Sequence, residues 1–135
     1  MRDSSPFQQL IAAAATQSTP QLLLFVFAGA ELPEDATPQQ RTAFESGHGG
    51  ELTPLMCTEK KLAELSSFDA LAAESRRAGP PWQVMFAAGL GGRGSELPSA
   101  AEVESALTTM VERVRSGAVG GLMALSNQGE VLDFA

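Results

Sequence analysis

Between Leu22 and Phe27 the chain reads LLLFVF, apolar at every position. A strand that is polar on neither alternating set has no face to offer water, so this one is expected at the centre of a sheet covered on both sides. The whole apolar run, Leu22 to Ala30, is nine residues long. That is too short to cross a bilayer as a helix, which requires about 20 residues.

Two layers of helix are therefore needed, and the sequence supplies candidates. SSPFQQL, from Ser4, offers Ser5 as a cap, Pro6 at the first helical position and Gln8 to complete a capping box. Phe7, Leu10, Ile11 and Ala14 then form one apolar stripe. Thr37, Pro38 and Gln40 repeat the start signal for a short helix whose large apolar anchor is Phe44. A longer helical pattern carries Leu62, Leu65, Phe68, Leu71 and Ala72, with Ser66 and Asp69 as an internal cap, as either two short helices or one bent one. Ser99 and Glu102 open the last helix, with Val103, Leu107, Met110, Val111 and Val114 on one side and Arg113, Arg115 and Gly117 at its end.

Further strands are expected at Glu51–Thr58, Trp82–Leu90 and Val119–Leu125. Pro54 lacks an N–H and places the first of these at a sheet edge. Asn127, Gln128 and Gly129 predict a turn, Gly129 left-handed, into the closing EVLDFA. Alternating strands and helices predict residues 1–135 as one α/β domain, a sandwich with a mixed four- to five-stranded sheet, about four helices and a C-terminal antiparallel hairpin. If the strands flanking the last helix were parallel, they would form a right-handed crossover.

Charge and cysteine content narrow the chemistry. The formal charge is −7, and the nine bases are scattered, which disfavours nucleic acid. Cys57 is the single cysteine, so there is no internal disulfide and no four-thiolate metal site. A soluble cytoplasmic protein is expected, with neither membrane partner, metal nor cofactor.

Four sets of residues are site candidates. GLGGRG places Gly89, Gly91 and Gly94 at the spacing of a dinucleotide loop, but Ser95 to Pro98 separate it from the helix cap at Ser99, and no ribose-binding acid follows the next strand. What survives is an anion or phosphate site built from Gly89, Gly91, Gly92, Arg93, Gly94 and the helix N-terminus at Ser99. Cys57 and His48 would form a nucleophilic pair if folding joined them, although a cysteine in LMCT is more often a small buried hydrophobe. Glu31, Glu34 and Asp35 are carboxylates in the excursion from Gly29 to Gly50, best read as solvated loop charge. Trp82 is either an interface anchor or, at the head of a buried strand, core.

LLLFVFAGAELPEDATPQQR, GGELTPLMC and GGLMALSNQGEVL together resemble a family of small uncharacterised proteobacterial proteins often labelled ribonucleotide reductase subunit alpha. That label implies a thiyl-forming cysteine and a redox-active pair, so with Cys57 alone no site residue carries over. The first half is also similar to the N-terminal part of SseB-like domains. This second resemblance implies that Leu22–Phe27 and Glu51–Cys57 are antiparallel neighbours, and that the domain binds without catalysing. With no catalytic constellation in the sequence, the leading expectation is a non-enzymatic domain that binds a protein partner or itself, the excursion from Gly29 to Gly50 and the glycine turn being the candidate contact surfaces, with a small-molecule or phosphate binder at the glycine turn as the alternative.

Overall fold

The computed structural model describes residues 5–31, 37–45 and 51–132, with the backbone alone at residues 30, 31, 40, 43–45 and 51. Helix α1 spans Pro6–Ala15, strand β1 Gln21–Glu31, helix α2 Pro38–Glu45 and strand β2 Glu51–Lys61. A single 3-10 turn at Leu62–Glu64 leads to α3 (Phe68–Ala78), β3 (Val84–Gly91), α4 (Ala100–Ser116) and β4 (Met123–Ser126). The four strands form one sheet in the order β2-β1-β3-β4. The α/β class, four strands and four helices agree with the sequence.

The sheet is antiparallel at every pairing instead of mixed. No parallel crossover joins β3 to β4, because alternation of strand and helix gives the order of elements but not the end of the sheet to which each connection returns. β1 is central, with β2 on one side and β3 on the other. β1 and β2 are thus antiparallel neighbours, Val26 facing Cys57 and Phe25 facing Thr58. Many hairpin-like folds share that arrangement, so it does not by itself assign a family.

The two alternating sets of β1 fill two separate cores. Leu23, Phe25 and Phe27 pack with Phe7 of α1, Leu71 and Ala72 of α3, and Trp82. Leu22, Leu24, Val26 and Ala28 pack with Val103, Met110 and Val114 of α4. Each large side chain fully buried this way contributes about 1.5–3 kcal/mol, which is why LLLFVF dictates helices on both faces.

Local chemistry sets the element ends. Ser5 Oγ accepts from the Gln8 N–H, but the Gln8 side chain donates to the Ser66 carbonyl instead of closing a capping box. α3 is capped by Ser67, one residue beyond the expected Ser66, its hydroxyl accepting from the Ala70 N–H. α4 has the expected box: Ser99 Oγ takes the Glu102 N–H, and the Glu102 carboxylate takes the Ser99 N–H. It ends with Ala118 N–H donating to Arg113 and Gly117 N–H to Val114, a Schellman closure. Residues 119–122 form a turn, so β4 begins later than expected. The final hairpin turns at Gly129 (φ 84°), and its return is a bridge from Leu125 to Val131.

No helix among the described residues is long and apolar enough to cross a membrane.

Candidate functional site at the β2 edge

β2 pairs on one side only among the described residues, so its outer edge is a row of backbone donors and acceptors. Which groups face outward follows from the ladder. Gly92 N–H donates to Pro20 C=O at 2.9 Å, so the even-numbered residues of β1 exchange hydrogen bonds with β3 and the odd-numbered ones with β2. Phe27, Phe25 and Leu23 lie opposite Met56, Thr58 and Lys60, whose backbone groups therefore point inward. Those of Cys57, Glu59 and Lys61 point outward.

Both ends of this edge are blunted. The Lys61 N–H is taken by the Glu64 carboxylate at 2.7 Å, from the 3-10 turn. At the other end Pro54 has no N–H, and the register slips between Phe27 and Ala28, leaving Leu55 as a bulge. A window remains at Cys57 and Glu59. Within it the Thr58 hydroxyl reaches the Glu59 carbonyl at 3.4 Å.

Each face of this window opens into a groove, and Cys57 lines both. Toward α4 the groove encloses about 450 Å³, floored by Val103, Leu107 and Val111. Leu107 and Val111 remain half-buried, packed against the α4-side core while lining this groove. Glu59, Glu104 and Glu112 line its rim and are exposed. Glu112 pairs with Arg115, whereas Glu59 and Glu104 have no ion-pair partner among the described residues. Toward α3 a second groove of about 290 Å³ is lined by Met56, Thr58, Leu71 and Ala78. Lys60 at its side is paired with Glu74 at 2.7 Å.

Cys57 is exposed, which corrects the expectation of a buried small hydrophobe. The physical reason is its place on an edge strand, where its α4-facing side borders an open groove instead of the packed core. His48, Glu34 and Asp35 lie outside the described residues, as do the side chains of Glu31 and Phe44. Among the described residues no three His, Cys, Asp or Glu side chains group as metal ligands.

The glycine turn is closely built. Gly89 and Gly91 belong to β3, opposite Leu23 and Gln21. Arg93 and Glu96 then exchange backbone hydrogen bonds, both 2.9 Å, across a two-residue turn in which Gly94 has φ 57°. That angle is the one a type II′ turn asks of glycine. At Gly92 a side chain is excluded outright, since a Cβ would lie 1.8 Å from the Glu96 carbonyl oxygen. The fold does bring Arg93 to the N-terminus of α4, where it meets Glu102 at 3.0 Å. The Glu102 carboxyl is held below its ordinary value, chiefly by the Ser99 N–H, then by the Ser99 hydroxyl and the Arg93 charge.

Trp82 is core: it is 3% exposed and packs at a tilt against Phe27, with ring centroids 5.0 Å apart.

Pro54 placed β2 at a sheet edge, as found, but the grooves beside that edge escaped sequence reasoning, although two signals bore on them. The apolar side of α4 is wider than its buried row, and Glu104 and Glu112 flank the surplus. No protein-family profile, curated protein or solved structure matches the chain.

Proposed function

We propose that this chain is a non-enzymatic protein-interaction domain that receives its partner along the β2 edge. One observation carries the reading. The Cys57–Glu59 window lies between grooves of about 450 and 290 Å³, so main-chain pairing and side-chain burial are both available at one place. Edges used for strand addition combine these features, the backbone supplying affinity and the flanking pockets selectivity.

Of the two interaction modes that the sequence suggests, a separate partner has more support than a homodimer. A two-fold contact through the larger groove would set Glu59, Glu104 and Glu112 against their own copies, and like charges across an interface are costly. The anion-binding alternative at Arg93 and Ser99 has less support, because both groups already hold the Glu102 carboxylate.

The test combines light scattering with capture from native lysate, comparing wild type with Leu107→Glu. Leu107 is half-buried in the groove, so a charge there blocks docking while leaving the buried row of α4 intact. A partner retained by the wild type and lost with Leu107→Glu is expected. A strict monomer that retains nothing, or a partner indifferent to the substitution, overturns the reading.

A further inference from the structure

Resting on that interaction reading, we infer that the occupant of the β2 edge is an extended, basic segment of another protein, added as a fifth strand beside Cys57 and Glu59. The geometry of the grooves selects the extended form. Successive side chains of a strand point to opposite faces, and the two grooves lie on opposite faces of the same edge segment, with Cys57 lining both. A strand placed there puts alternate side chains into each groove while its backbone pairs with the outward groups of Cys57 and Glu59. A docked helix would fill one groove and leave the window unpaired.

Charge selects the basic form. On the α4 side the walls carry Glu59, Glu104 and Glu112, and the first two lack a cation among the described residues. The net charge of −7 adds a field of the same sign. Lysine or arginine in the added strand meets those carboxylates, and valine- or leucine-sized side chains meet Val103, Leu107 and Val111. The blunted ends limit the contact. With Lys61 capped by Glu64 and Pro54 lacking a donor, the paired stretch centres on two outward residues. A short segment, not a long strand, is therefore accommodated.

The probe is a synthetic eight-residue peptide of alternating valine and lysine, with a valine–glutamate peptide as its counterpart. Both are titrated into the isotope-labelled full chain at low salt. The lysine peptide is expected to shift the Cys57 and Glu59 amides, slow their hydrogen exchange and protect the Cys57 thiol from alkylation. The glutamate peptide is expected to do none of these. Glu59→Gln and Glu104→Gln, both at exposed positions, should each weaken binding about two- to fivefold, an effect that salt erases.

Equal binding of the two peptides overturns the inference. So does unchanged exchange at Cys57 and Glu59 under saturating lysine peptide. The interaction reading fails separately. If a captured partner depends on Leu107 but its bound segment is helical or acidic, this inference falls and that reading stands; if capture ignores Leu107, that reading falls and takes this inference with it.

Discussion

The indole N–H of Trp82 donates to the Ser75 hydroxyl at 2.7 Å, with both residues buried. Ser75 in turn donates to the Ala72 carbonyl at 2.6 Å, so the head of β3 is tied through one hydroxyl to the middle of α3. Ser75 is the one buried polar side chain among the described residues. Its position on an otherwise apolar helix face is explained by the donor it must satisfy.

Ser75→Ala should therefore cost about 1–3 kcal/mol, since it strands a buried N–H in an apolar pocket. Trp82→Phe should cost a similar amount through lost ring volume, while Ser75 keeps its acceptor at Ala72. Because each variant removes the same bond, the double variant should cost less than the two losses added together, by about 0.5 kcal/mol or more. Urea denaturation followed by far-ultraviolet circular dichroism measures all three. Strict additivity would show that the bond contributes nothing.

Cys57 makes a different measurement possible. As an exposed thiol on an edge strand, it should be alkylated by iodoacetamide at a rate within about tenfold of a free thiol, whereas a cysteine sealed in a core reacts far more slowly. Slow labelling in the folded chain, matched only after unfolding, would mean that the edge is covered in solution and that the grooves are closed.

How much of this was legible beforehand depends on the range of the interaction. Caps and stripes are local, so LLLFVF, the Ser99–Glu102 box and the Gly117 closure could be read from neighbouring residues. Pro54 likewise marked an edge strand, because a missing donor is a property of one residue. Strand direction is not local. The pairing of Val26 with Cys57 and with Phe86 depends on which end of the sheet each connection returns to, and periodicity carries no trace of it. The β2 grooves were hidden for a related reason. Leu107 and Cys57 lie far apart in sequence, and only the packing of α4 against β2 places both beside one opening. The glycine turn was conspicuous in composition, yet its function in the fold is steric: Gly92 gives way to the Glu96 carbonyl.

The N-terminus of α4 gives a pH-dependent prediction. Ser99→Ala removes the hydroxyl that accepts the Glu102 N–H and should cost about 1 kcal/mol. Glu102→Gln keeps a side-chain acceptor for the Ser99 N–H but removes the charge. The folded chain lowers the Glu102 pKa below its ordinary 4.5, so the stabilisation from that charge is fully present above about pH 4.5 and is lost as pH falls through the lowered value. Wild type should exceed Glu102→Gln in stability at pH 7, and the difference should shrink toward zero in strong acid. Denaturation midpoints across pH 2 to 7 test this; a difference that does not change with pH would assign the effect to geometry instead of charge.

The Lys61 N–H and the Glu64 carboxylate, 2.7 Å apart, form a plug at one end of the open edge, and its removal should lengthen the window. Glu64→Ala frees an outward donor that nothing else among the described residues takes, and Lys61 amide exchange should quicken by about tenfold or more. Glu64→Gln retains a neutral acceptor and should stay near wild type, which separates the hydrogen bond from the charge. Since Glu64 and Lys61 are both exposed, neither change should cost more than about 1 kcal/mol of global stability. With one more outward donor available, an added strand gains a further backbone bond. The valine–lysine peptide should thus bind Glu64→Ala more tightly than wild type, even though an acid near the edge has been lost. Weaker binding to Glu64→Ala would mean that the carboxylate attracts the peptide more than it obstructs it, and that the edge ends where Lys61 ends.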